Sequence, residues 1–148
     1  MSQKLYLPLL LLALVLVGSC DKTPINGDLD GMWQLMTEEK GDTLLNVKDN
    51  GIYVNFYLHT VQLDGNGKSR QYYGVFNHHG DTIRYTTLCH ASTYETSADD
   101  DVLVTEDELS DLAPWGIYSL EPVYAVLRLT DDRLTLQSDS STLYFRKF

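Results

Sequence analysis

Between residues 31 and 148 the chain falls into short aromatic and β-branched segments separated by tight-turn residues, and this rhythm limits it to an all-β fold. Asp49-Asn50-Gly51 precedes the stretch 53–63 (YVNFYLHTVQL), and Asp64-Gly65-Asn66-Gly67 follows it. Segments 70–76 and 82–89 form the next pair, joined through Asn77-His78-His79-Gly80-Asp81. Segments 124–130, 133–137 and 142–148 make a closing meander with turns at Asp131-Asp132 and around Asp139-Ser140. In it Ala125, Leu127 and Leu129, then Leu134 and Leu136, alternate with polar neighbours, which predicts a sheet with one buried face. Shorter strands are expected over 33–36, 44–48 and 102–105. About eight antiparallel strands leave two architectures open, a sandwich and an up-and-down barrel.

One helical signal interrupts the hairpins. Thr105-Glu106-Asp107-Glu108 is a capping-box pattern, followed by Leu109 and Leu112 and ended by Pro114. The surrounding insertion, 97–116, carries Asp99-Asp100-Asp101, which reads as a solvated acidic loop because an EF-hand's Gly and Glu positions are missing.

The N-terminus has a different character. Lys4 precedes an apolar run over 5–17, too short for a comfortable membrane span, and Val17-Gly18-Ser19-Cys20 ends it. Those four residues resemble a bacterial lipobox, in which the cysteine becomes an acylated N-terminus. The expectation is a signal peptide over 1–19, lipidation at Cys20, a polar tether to residue 30 and one domain over 31–148. Two acyl chains suffice for stable anchoring, at about 0.8 kcal/mol per buried CH₂. The membrane is thus one partner, reached through the lipid.

Signal removal moves the formal charge from −10 to −11, because Lys4 leaves and no acid does. That balance excludes nucleic acid as a partner, since such binding runs on Lys and Arg neutralising phosphates. With Cys20 acylated, Cys89 is the remaining thiol, so no internal disulfide forms and Cys89 is expected as a small buried hydrophobe.

Gly31-Met32-Trp33 on the first strand and Arg146 on the last resemble the signature of the lipocalins and wider calycins. The resemblance implies a closed antiparallel β-barrel in which Arg146 lies across the Trp33 indole, a contact of about 0.5–2 kcal/mol. Lipobox, tether, G-x-W and closing strands together look like the small lipocalin-like lipoproteins of Gram-negative gut bacteria, a group of mostly unassigned function. This implies an outer-membrane anchor, whereas Asp21 after the lipidated cysteine would mean inner-membrane retention under enterobacterial rules.

Tyr144 and Arg146 share one face of the last strand, an arrangement similar to the carboxylate grip of the fatty-acid-binding relatives. With Tyr53, Tyr57, Tyr72 and Tyr85 they are the candidate ligand-binding residues, each equally explicable as barrel packing. Trp115, beside Pro114, is a candidate partner contact or a plug for one barrel mouth. His59, His78, His79 and His90 lack converging metal-ligand spacing, and no nucleophile motif occurs. No metal, cofactor or catalysis is expected. The function expected is binding of a small apolar molecule inside the barrel, with a filled-barrel module docking an envelope protein as the alternative.

Overall fold

The computed structural model describes residues 24–65, 70–91 and 101–148. The signal segment, Cys20, and Asp99 and Asp100 of the acidic loop lie outside these residues. Among the described residues ten strands occur in chain order: β1 (Gly31–Lys40), β2 (Thr43–Asn46), β3 (Ile52–Tyr57), β4 (Thr60–Gly65), β5 (Tyr72–His79), β6 (Thr82–Ala91), β7 (Asp101–Leu103), β8 (Val123–Leu129), β9 (Arg133–Gln137) and β10 (Thr142–Lys147). Eight of them close an antiparallel barrel in the order β1-β3-β4-β5-β6-β8-β9-β10, and β10 pairs back onto β1. The other two extend its rim: β2 pairs with the far half of β1 and β7 with the far half of β6. A barrel, not a sandwich, is therefore what the strand rhythm encodes.

The pleat puts one side chain in two inside. Ile52, Val54 and Phe56 of β3, Val61 and Leu63 of β4, and Leu134 and Leu136 of β9 all face the core. Among the described residues three bulges let the strands curve around the barrel: at Met36 in β1, at Thr87-Leu88 in β6 opposite Gly74, and at Leu127 in β8. At the second, a Cβ on Gly74 would meet the Leu88 side chain and the carbonyls of Thr86 and Thr87, so only glycine fits. Thr87 opposite adopts a φ of 54°, which kinks β6 at the same corner.

The stretch 53–63 is two strands rather than one. Leu58 and His59 form a two-residue turn between β3 and β4, with Leu58 at a φ of 55°. No glycine or asparagine marks this turn, so hydrophobicity ran through it unbroken. The side chain of Asn26 supports it by donating to the Leu58 carbonyl at 2.8 Å. His78 and His79 likewise end β5, and Gly80-Asp81 alone makes the next turn.

On β8 the expected inward set is reversed. Tyr124 is buried and Val126 packs on the core, while Ala125 and Leu127 face out, Leu127 at 56% exposure. The extra residue at the Leu127 bulge then turns Leu129 back toward the core. Arg128, directly after the bulge, is exterior as well.

Closure of the barrel bottom differs from the arrangement the lipocalin resemblance implied. Trp33 is fully buried, its indole N–H donating to Leu29 O at 2.8 Å from the 3-10 turn Gly27–Leu29 beneath the barrel. The cation over its ring is Lys147, with Nζ at 4.7 Å from the centroid, and the same ammonium donates to Asp28 O at 2.7 Å. Arg146 instead donates to Gln34 Oε1 at 2.8 Å on the outer wall. Register explains the exchange: Trp33 sits opposite Lys147, and Gln34 opposite Arg146. Neighbours on a strand face opposite sides, so only Lys147 shares the interior phase of Trp33.

Lys147→Ala is expected to cost about 1 kcal/mol, the size of a cation–π contact, and to alter the near-ultraviolet circular dichroism of Trp33. Arg146→Ala should leave that band in place. A larger change at Arg146 would mean that the sequence-based assignment is the right one.

Candidate functional site

The barrel interior and its upper mouth are where a lipocalin-like fold would hold a ligand. Here the interior is occupied by the protein. Leu35, Phe56, Val61, Leu63, Ile83 and Leu136 expose 0% of their surface, and Tyr72, Phe76, Tyr85, Tyr124 and Leu134 expose 1–2%. The aromatic rings interlock: Phe56 meets Phe76 edge-on at 5.0 Å, and Tyr85 meets Tyr124 at 5.3 Å. Tyr124 donates to Gly116 O at 3.2 Å. Burial pushes the phenols of Tyr85 and Tyr124 well above their ordinary value, so both are neutral packing elements.

The mouth is covered by a strap. Thr105 opens it with the capping box read from sequence, its N–H donating to Glu108 Oε2 at 3.1 Å. One 3-10 turn (Glu106–Glu108), the single-turn helix α1 (Leu109–Leu112) and a second 3-10 turn (Ala113–Trp115) follow. Leu112, Trp115 and Ile117 point down into the barrel with 0–1% exposure. Trp115 plugs the mouth rather than presenting itself to a partner. Its indole N–H is shared between Tyr53 O at 3.1 Å and Asp64 O at 3.2 Å, the upper ends of β3 and β4. Gly116 ends the turn at a φ of 70°, where a Cβ would run into Leu143. Beyond it Tyr118 donates to the buried carboxylate of Glu38 at 2.7 Å, under the ammonium of Lys40.

A polar cluster latches the other end of the strap. Glu108 Oε1 lies 3.1 Å from both Arg70 Nη1 and His90 Nε2, and His90 is buried. His90 Nδ1 is 2.9 Å from Ala91 O, a pure acceptor, so Nδ1 carries a proton. Nε2 then accepts from Arg70 when the ring is neutral and donates to Glu108 when it is charged. The Thr105 backbone bond first, then His90 and Arg70, hold the Glu108 carboxyl below its ordinary value near 4.5. Sequence reading missed this cluster because its three members come from distant segments.

The remaining candidates are placed as follows. Tyr72 and Tyr85 face the interior but are packed. Tyr53 and Tyr57 take the outward phase of β3, Tyr53 stacking edge-on against Phe148 at 5.1 Å and Tyr57 at 56% exposure. Tyr144 and Arg146 do share a face, but it is the outer one, where Tyr144 donates to Glu39 Oε2 at 2.6 Å. They cannot grip a ligand inside the barrel. The reason is the same phase argument that moved Lys147 inward. Beside them an open groove of about 550 Å³ runs between Met36, Arg128, Arg133 and Tyr144. Cys89 is buried, and desolvation raises its thiol above the ordinary value, which makes it a packing residue rather than a nucleophile. Among the described residues no cluster of three or more His, Cys, Asp or Glu is arranged to hold a metal.

A carboxyl held below its ordinary value stabilises the fold above that value and loses the contribution as pH falls. Acidification through and below the ordinary carboxyl value near 4.5 should therefore loosen the strap before the barrel melts. Trp115 fluorescence reports it, and Glu108→Gln should remove the pH dependence of that early step.

A family profile described as a lipocalin-like domain matches residues 13–148. The fold is similar to the crystal structure of a lipocalin-like protein from Bacteroides uniformis ATCC 8492, at TM-score 0.60 and 22% identity over 82% of this chain and 100% of that one. An uncharacterized protein from Bacteroides eggerthii DSM 20697 gives TM-score 0.59 and 23% identity over 81% and 99% of the two chains. The solution structure of a protein from Burkholderia xenovorans gives 0.52 and 16% over 81% and 83%. No curated protein matches. With its G-x-W strand, eight-stranded closure and a family match over most of its length, the chain belongs to the lipocalin-like domain family.

Proposed function

We propose that this protein is a non-catalytic, membrane-anchored lipocalin-like module, acylated at Cys20, that works through its outer surface. The interior packing carries this reading. A binding calyx needs open apolar volume, and here the side chains and the Trp115 plug fill it. The absence of catalysis is supported by Cys89 being buried with a raised thiol and by His90 being engaged on both ring nitrogens. The outer membrane is the proposed location, on the resemblance to lipocalin-like lipoproteins; Asp21 is the residue that would argue for the inner one.

Binding of a small apolar molecule inside the barrel is the second reading. One observation favours it: Leu112, Trp115 and Ile117 belong to a separate strap that is latched through Glu108 and could lift. The two readings part on a single titration. Wild-type protein should give no fluorescence enhancement with 1-anilinonaphthalene-8-sulfonate, and Trp115→Ala, which opens a hole, should give several-fold. Saturable one-to-one binding by the wild type, or a lipid retained from extract and seen by mass spectrometry, would overturn the filled-barrel reading.

Acylation is tested separately. Cys20→Ser should move the protein from the membrane fraction to the soluble one, and the wild-type N-terminal peptide should carry the mass of its acyl chains.

A further inference from the structure

The end of the barrel that carries the 3-10 turn Gly27–Leu29 has an apolar rim in a place where protein surfaces favour polar turn residues. Leu58 occupies the first position of the β3–β4 turn at a left-handed φ of 55°, a position taken by Gly, Asn or Asp in most two-residue hairpins. It is 47% exposed, so packing does not account for it. Tyr57 beside it is 56% exposed and faces outward. Ile25, at 57%, lies alongside because Asn26 donates to the Leu58 carbonyl at 2.8 Å. Phe148, at 72%, continues the apolar surface up the wall against Tyr53.

We infer that this rim, Ile25, Tyr57 and Leu58, docks onto the surface of the bilayer that holds the anchor. The inference rests on the acylation of Cys20 proposed above. Tether length selects the occupant. Ile25 is five Cα steps from Cys20, and extended chain spans at most about 3.6 Å per step, so Ile25 stays within about 18 Å of the lipid surface. A small domain is about 30 Å across, so no folded partner fits beneath the rim. The chemistry agrees. The turn Tyr57-Leu58-His59-Thr60 carries no acid, and an amphipathic tyrosine suits the headgroup level while Leu58 and Ile25 reach the acyl boundary. With a formal charge of −11 after processing, the attraction is apolar and not electrostatic, so the surface recognised is zwitterionic lipid.

The test uses the full acylated chain, made in a lipoprotein-processing bacterial host and reconstituted in phosphatidylcholine vesicles. An environment-sensitive fluorophore is placed at Leu58→Cys or, as control, at Leu44→Cys on β2 at the opposite end, where Leu44 is 67% exposed. Cys89 is buried and does not compete for the label. Shallow spin-labelled lipids should quench position 58 at least about threefold more than position 44, as a 5–10 Å insertion requires. The difference should persist in high salt, and Ile25→Asp should abolish it without releasing the protein. Equal quenching at the two positions in vesicle-bound protein overturns the docking while leaving the anchor intact. Protein that fails to float with the vesicles overturns the anchor and the docking together.

Discussion

The seam between β1 and β10 is the contact on which the rest of the molecule depends. Without it the sheet is an open ribbon whose inward face has nothing opposite to pack against. The seam is held by six aligned residue pairs, from Trp33 with Lys147 to Glu39 with Thr142. Around its lower end, Leu29, Trp33 and Lys147 form a floor in which an indole is hydrogen-bonded to the 3-10 turn and its face is covered by an ammonium bonded to the same turn. Each contact is modest, and cation–π attraction of this kind is worth about 1 kcal/mol. Their value lies in fixing the circumference, and a fixed circumference is what lets the interior be filled by rings of defined size.

The two ends of the cylinder are closed by the same chemistry applied differently. At the floor, Trp33 belongs to a barrel strand, and its removal would reach the seam itself. At the mouth, Trp115 is borne by a strap that packs Leu112, Trp115 and Ile117 into the core and is tied to the barrel by two backbone carbonyls and one carboxylate cluster. The floor is part of the sheet's own hydrogen-bond ladder, and the strap is not. Stability is thus graded along the barrel axis, with the looser end opposite the 3-10 turn Gly27–Leu29.

Much of this architecture was legible in the sequence because its signals are local. Turn residues at Gly80 and Asp131-Asp132 placed two of the hairpins, Gly51 placed the start of β3, and the capping box at Thr105 and Glu108 placed the strap's start. What escaped was decided by geometry with no local signature. The Leu58 turn uses a residue type that turn chemistry disfavours, so 53–63 reads as one strand. Single-residue bulges at Met36 and Leu127 reverse the facing of everything beyond them, and a period of two cannot register an extra residue. That is why Ala125 and Leu127 were expected inside. The assignment of Arg146 to Trp33 came from the family resemblance, and a shift of one residue gave the role to Lys147. The Arg70–His90–Glu108 latch joins residues as much as 38 positions apart, beyond any spacing rule.

The seam also sets how this chain can reach its native state. Gln34 and Arg146, paired across it, are 112 positions apart in sequence. Loop-closure entropy must be met before that pairing yields anything, so a high contact order places folding in the millisecond-to-second range typical of β-barrels. Until the last strand arrives, β1 presents a bare edge able to recruit any other extended chain. Synthesis delivers β10 last, which makes the interval before closure the period in which this protein is most exposed to misassembly.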